Sequence, residues 1–208
     1  MPIRGRDPRR AMRNRSLFEM VLAAGRTVVG IDQSAGMLAQ ARAKHPEVVL
    51  ETIGLQELEF DAAFDAAMCI DAMEFISPED WPVVLANLHR AVRAGGLIYL
   101  TVEQIDPAEI VSVFAETTAE GLPVIHGENI RRGGGYHFYP SPDRVSRWLA
   151  AEGLEVVDEG VSRARTYGYL HLLVRAGGIA SAHAARVTRR FTGTAMFPPP
   201  RTPSGSGG

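Results

Sequence analysis

The chain has 208 residues, 46% hydrophobic and 22% charged, with a net charge of −2, which describes one ordinary folded domain and excludes disorder, collagen and coiled coil. No run approaches the roughly 20 apolar residues of a membrane span. The arginine-rich start lacks the apolar stretch of a secretory signal, and one cysteine, Cys69, excludes a disulfide framework or a paired-cysteine zinc site, so the protein reads as cytoplasmic.

Charge divides the chain along its length. Residues 1–18 hold six arginines against Asp7, residues 177–208 hold four arginines and no acid, and residues 19–176 carry 12 basic and 23 acidic residues, a net of −11. A nucleic-acid partner calls for a basic face, so none is expected from this acidic middle. Residues 1–16 show no apolar period, and residues 177–208 run into a Pro/Ser/Gly-rich end; both are expected to be disordered, around a domain at 17–176.

Within that domain, strand and helix alternate. Residues 17–24 begin to look helical. Thr27-Val-Val-Gly-Ile31 suits a buried strand, and Ser34 then starts a helix carrying Met37, Leu38 and Ala41. Apolar runs at 48–53, 64–70 and 97–102 predict three more strands. Between the last two, Val84, Leu85, Leu88 and Val92 mark a helix, with Gly95 placed to cap it. Asp106-Pro107 and Ser141-Pro142 open two further helices, ending near Gly121 and Gly153. Residues 154–159 and 167–175 are strands with no room between them for a crossover helix, hence antiparallel neighbours. The pattern predicts an α/β, Rossmann-like doubly wound sheet, mostly parallel, with a C-terminal antiparallel hairpin.

Several motifs agree in order and spacing. Val28-Val-Gly-Ile-Asp32-Gln-Ser-Ala-Gly-Met37 resembles the second strand and following helix of class I S-adenosylmethionine-dependent methyltransferases. Phe64-Asp-Ala-Ala-Met-Cys-Ile-Asp71-Ala-Met-Glu74 is similar to that family's fourth strand. Arg93-Ala-Gly-Gly-Leu-Ile-Tyr-Leu-Thr101 is similar to its Pro-Gly-Gly turn and fifth strand, with Ala94 replacing the proline. The terminal hairpin fits as well.

The resemblance implies S-adenosylmethionine as cofactor, with Asp32 accepting the ribose hydroxyls. It further implies Gln33 and Met37 beside the cofactor, Leu55 and Gln56 near the adenine, and Asp71 below the sulfonium. Asp32 could equally just begin the turn into the Ser34 helix. One expected feature is missing. The family's first strand and glycine-rich turn have no counterpart, because Gly5 is the only glycine before Gly25. A truncated or frame-shifted start, a degenerate relative, or an irregular replacement from residues 8–18 would each account for that. Loss of this strand would leave unpaired edges inside the sheet.

Methyl transfer demands positioning and, for some acceptors, proton removal. The glycine-flanked Gly133-Gly-Gly-Tyr136-His137-Phe-Tyr139-Pro segment supplies candidates: His137 as general base, Tyr136 and Tyr139 shaping an acceptor pocket. In the competing reading Phe138 and Tyr139 pack under the Trp148 helix and His137 is exposed. Asp71 and Glu74 could hold the cofactor's amino group or a cationic substrate, or be solvated. Together with Glu103 they are too thin a basis for a metal site, and none is expected. Cys69 reads as buried and inert, and Met37, Leu38, Leu85 and Leu88 as ordinary core. Three functions stay open: a methyltransferase acting on a small molecule, a non-catalytic remnant of that fold serving as an interaction module, and a nicotinamide-dependent Rossmann enzyme. Acceptor and oligomeric state are not legible.

Overall fold

A computed structural model describes residues 17–130, 135–164 and 167–177. The expected disordered ends at 1–16 and 178–208, and most of any replacement strand from residues 8–18, lie outside them. The chain falls into two compact units that divide after Phe60.

The first unit contains α1 (Leu17–Ala23), β1 (Val29–Ile31), α2 (Ala35–Lys44), β2 (Val49–Glu51) and a 3₁₀ turn at Leu55–Glu57. β1 and β2 are parallel, with Gly30 opposite Leu50. Gly30 is required there, because a Cβ would stand 2.6 Å from the Leu50 side chain and 3.2 Å from the Phe18 ring. Phe18 also meets the buried His45 ring edge-on at 5.4 Å, which seats α1 on this unit. Ser34 caps α2 as expected, its hydroxyl accepting from the Met37 N–H at 3.3 Å. Leu38 is buried, but Met37 is 56% exposed. The expectation of Met37 as core is therefore corrected: neighbours on a helix point about 100° apart, and the inward direction goes to Leu38.

The second unit holds β3 (Phe64–Cys69), a 3₁₀ turn at Met73–Phe75, α3 (Trp81–Ala91), β4 (Val92–Gln104), α4 (Pro107–Ala119), β5 (Glu128–Asn129), β6 (His137–Phe138), α5 (Pro142–Ala151), β7 (Leu154–Arg163) and β8 (Gly168–Ala176). Its main sheet has the order β3-β4-β8-β7. β3 and β4 are parallel, while β8 is antiparallel to both β4 and β7. The terminal hairpin is the expected one, with β8 rather than β7 lying beside β4. β5 and β6 form a separate antiparallel pair. Among the described residues β1 bonds only to β2, and β3 only to β4, so each unit has a parallel strand paired on one side.

Most of the core belongs to the second unit. Trp81, Val84, Leu85, Leu88 and Ala91 are buried on α3, Val145 and Leu149 on α5, and Ile98, Leu100, Val102, Leu172 and Val174 on one face of the sheet. Trp81 stacks on Trp148 at 5.1 Å and meets Phe138 edge-on at 6.4 Å.

The α3-to-β4 junction differs from expectation. The helix ends at Ala91, Val92 is its C-cap, and Val92 already pairs with Phe64. Pairing resumes only at Leu97 opposite Ala66, so residues 93–96 loop out of the strand. Gly95 makes that excursion at φ +79°, and a Cβ on Gly96 would lie within 2.9 Å of two backbone oxygens. The glycine pair thus serves a bulge in β4 rather than the cap of α3.

Candidate functional site

In the first unit, Asp32 follows directly on β1. Its N–H extends the β1–β2 ladder to the Glu51 carbonyl at 3.3 Å, and its Oδ1 accepts the Ser34 N–H at 2.7 Å. The carboxylate therefore begins the turn into α2, as one sequence reading held. A carboxylate has capacity for further bonds on both oxygens, and Asp32 is half-buried at a strand's C-terminal end, where open α/β sheets bind ligands. Gln33 lies over Gly54, where a Cβ would overlap its amide; Gln33 and the Gly54–Gln56 loop are thus brought together. Leu55 and Gln56 form the 3₁₀ turn, closed by Glu57, whose Oε2 accepts the Gly54 N–H at 3.3 Å. Beside it an open recess of about 380 Å³ is lined by Glu51, Ile53, Glu57, Glu59 and Phe60. That recess is acidic and excludes Asp32, Gln33 and Met37 from its lining.

In the second unit the candidates collect at the C-terminal ends of β3 and β4. Asp71 sits at φ +49°, its N–H donating to the buried Thr101 hydroxyl at 3.0 Å, so the loop after β3 is tied to β4. The Tyr169 hydroxyl at the start of β8 is hydrogen-bonded to the Asp71 carboxylate, and desolvation together with that partner raises its pKa. Tyr169 stands opposite Glu103 of β4. Glu74 is 4% exposed, with Oε2 buried and without a hydrogen-bond partner. Burial first, then the charges of Glu103 and Asp71, push its carboxyl up to about 7. Cys69 is buried, and desolvation raises its thiol to about 12; it is inert, as expected.

Of the three aromatic-loop candidates, Tyr136 is committed, its hydroxyl donating to Glu128 Oε1 at 2.9 Å. Desolvation and Glu128 raise its pKa, so it keeps its proton at neutral pH. His137 is half-buried rather than exposed. Its ring lies between Phe75 at 5.0 Å and Tyr139 at 6.0 Å, with Nδ1 buried and unpartnered. Phe138 and Tyr139 are buried, and Phe138 packs on Trp148 at 6.2 Å, as in the competing reading. Gly127, at φ +103°, makes this possible, since a Cβ there would stand 2.7 Å from the Tyr139 carbonyl.

Sequence reasoning missed Tyr169, which shares a sheet face with Glu103 once the hairpin is in register. It also missed a chain across that face, in which Ser162 Oγ and the Tyr99 hydroxyl each lie 2.7 Å from a ring nitrogen of His171. Strand alternation in 154–163 and 168–176 was the available signal. Among the described residues no cluster of three His, Cys, Asp or Glu has metal-binding geometry, and no helix is long and apolar enough to cross a membrane.

Comparison with known proteins bears on this arrangement. Residues 15–96 match the family model described as a methyltransferase domain. No curated protein matches the sequence. The fold is similar to that of an S-adenosylmethionine-dependent methyltransferase from Methanosarcina mazei, with TM-score 0.63 and 14% identity over 77% of this chain and 86% of that one. It is also similar to the 1,6-didemethyltoxoflavin-N1-methyltransferase of Burkholderia thailandensis, solved with S-adenosylhomocysteine, with TM-score 0.58 and 16% identity over 77% and 66%. The [4+2]-cyclase SpnF has TM-score 0.56 and 18% identity over 73% and 67%. The family model thus lies over the β1–α2–β2 and β3–α3 segments, and the chain shares the fold of these structures.

Proposed function

We propose that the chain transfers a methyl group from S-adenosylmethionine to a small-molecule acceptor, as a cytoplasmic enzyme. The observation that carries this reading is Asp32, fixed at the end of a parallel strand by its own Asx turn, inside the segment that matches the family model. When bound, the cofactor supplies an electrophilic methyl group on sulfur. Asp32 accepts the ribose hydroxyls, and Gln33 and Met37 flank the nucleoside. Leu55, through its backbone, and the Gln56 amide contact the adenine. Of the second unit's residues, Asp71 is our candidate for the cofactor, and His137, Tyr136 and Tyr139 for the acceptor side. Because Tyr136 keeps its proton, its part is to orient; His137, whose Nδ1 is buried and unpartnered, is the better candidate for receiving a proton. The acidic middle of the chain favours a small acceptor over a nucleic acid.

Calorimetric titration of the full chain with S-adenosylhomocysteine tests the reading. Binding on the order of micromolar is expected, weakened about thirtyfold by Asp32→Ala through loss of two charge-assisted hydrogen bonds. A folded sample that does not bind overturns it.

A second reading, a member of the fold that does not transfer methyl groups, has its own support. One protein of similar fold is named a cyclase. The nicotinamide reading is the weakest of the three, since the antiparallel β7–β8 hairpin and the family match both favour the methyltransferase.

A further inference from the structure

The end of the second unit's sheet gathers negative charge around an apolar rim. Asp71 follows β3, Glu74 lies on the next turn, Glu103 is near the end of β4, and Tyr169 opens β8 with its hydroxyl on Asp71. The three carboxylates are close enough to act on one another and on Tyr169. Neither Asp71 nor Glu74 forms an ion pair with a described residue. Glu74 is 4% exposed and still has an oxygen with no hydrogen-bond partner. Burying a carboxylate in that state costs several kcal/mol by general estimate, unless a cation or proton completes it. Aromatic surface stands beside it. Phe75, the next residue, is 53% exposed although large and apolar, and it packs on His137 at 5.0 Å, while Tyr169 is half-buried.

Carboxylates within an aromatic surround match one ligand chemistry. A metal ion needs convergent oxygen ligands, and no such cluster exists among the described residues. An anion would be repelled. An organic ammonium ion is attracted both by the carboxylates and by the faces of aromatic rings. We propose that Asp71 and Glu74, with Phe75, His137 and Tyr169 around them, bind an organic ammonium ion, and that the methyl acceptor is therefore an amine. The acceptor clause rests on the function proposed above; the cation site does not.

The chemistry is consistent with amine methylation. An ammonium nitrogen has no lone pair, so its proton must leave before the nitrogen can react. For an ammonium acceptor Glu74 Oε2, rather than His137, takes that proton, leaving a neutral amine and a neutral acid. Glu74 faces Asp71, Glu103, Cys69 and Tyr169, with His137 packed against the neighbouring Phe75. Burial first, and then the charges of Glu103 and Asp71, hold its carboxyl nearer an amine's range than an exposed glutamate would be.

The test is titration of the full chain at pH 8 with benzyltrimethylammonium, benzylamine and benzyl alcohol, read by calorimetry and by shifts of aromatic side-chain NMR signals. Both cations should bind, with the alcohol at least about tenfold weaker. Glu74→Gln and Asp71→Asn, which preserve volume, should each weaken cation binding about tenfold and leave the alcohol unaffected. Phe75→Leu, at an exposed position where folding is not at stake, should weaken benzyltrimethylammonium severalfold. Cations that bind no better than the alcohol, or no binding at all, overturn the site, as does binding indifferent to all three substitutions. Repeating the titration with saturating S-adenosylhomocysteine separates the two sources of an ammonium: retained binding supports an acceptor amine, and displacement overturns that assignment in favour of the cofactor's own. The readings fail separately. S-adenosylhomocysteine binding without cation binding removes the amine and leaves methyl transfer standing; the reverse leaves the cation site and removes methyl transfer.

Discussion

The two units differ in how they are held together. The second has a four-stranded sheet with one face filled by Ile98, Leu100, Val102, Leu172 and Val174, and helices whose buried side chains include the largest in the chain, Trp81. Among the described residues, the first has two three-residue strands and, as buried hydrophobic side chains, Leu38, Val48 and Leu58. A two-stranded sheet is marginal by itself. The residues proposed to hold the nucleoside therefore occupy the less buttressed unit, and the carboxylates and aromatic groups the better one. Cofactor binding should order the first unit more than the second, because a ligand stabilises most where the intrinsic packing is least.

The largest test of the contrast is Trp81→Ala, which removes the centre of the second unit's core and should cost about 3–5 kcal/mol in chemical denaturation. Leu38→Ala in the first unit should instead raise amide exchange in β1 and β2, with the main transition moving about half as far or less. Equal shifts would mean that the two units unfold as one. Next, Gly96→Ala forces a Cβ against the Asp65 and Arg93 carbonyls, an overpacking of about 2 kcal/mol that should appear in the same denaturation curve. If it is neutral, the bulge in β4 is not a constraint.

A comparable effect follows from Glu74. Its folded pKa is raised from 4.5 to about 7, so between those values the folded state binds the proton that the unfolded state has released. Stability should therefore fall as pH rises from about 4.5 through 7, by roughly 3 kcal/mol at most, and Glu74→Gln should abolish that slope in urea melts across the range. A slope that persists in Glu74→Gln would place its origin elsewhere. The smallest effect is expected from Ser34→Ala, which removes the α2 cap and should cost about 1 kcal/mol, read as faster exchange at the start of α2 with the second unit unchanged.

Much of this molecule was legible before any coordinates. Ser34, Asp106 and Ser141 each cap a helix through the side chain, as their residue types and positions imply. The hairpin of 154–176 was legible from the shortness of its link. These are local or topological facts, settled by hydrogen-bond geometry within a few residues. Asp32 was legible as a strand-end carboxylate, and its Asx turn is likewise local.

The rest needed the fold. Gly95 in the sequence is a plausible helix cap, and only the pairing of Val92 with Phe64 shows that β4 has already begun. Met37 and Leu38 are similar in hydropathy, and only the position of the sheet decides which is buried. The surroundings of Glu74 lie furthest from the sequence: its neighbours Glu103 and Tyr169 are 29 and 95 positions away, and its shifted carboxyl arises from burial and then from the charges of Glu103 and Asp71. Periodicity and capping act within one turn or one strand and so are written along the chain. Burial and long-range electrostatics are properties of what the chain is folded against, and tertiary structure alone decides them.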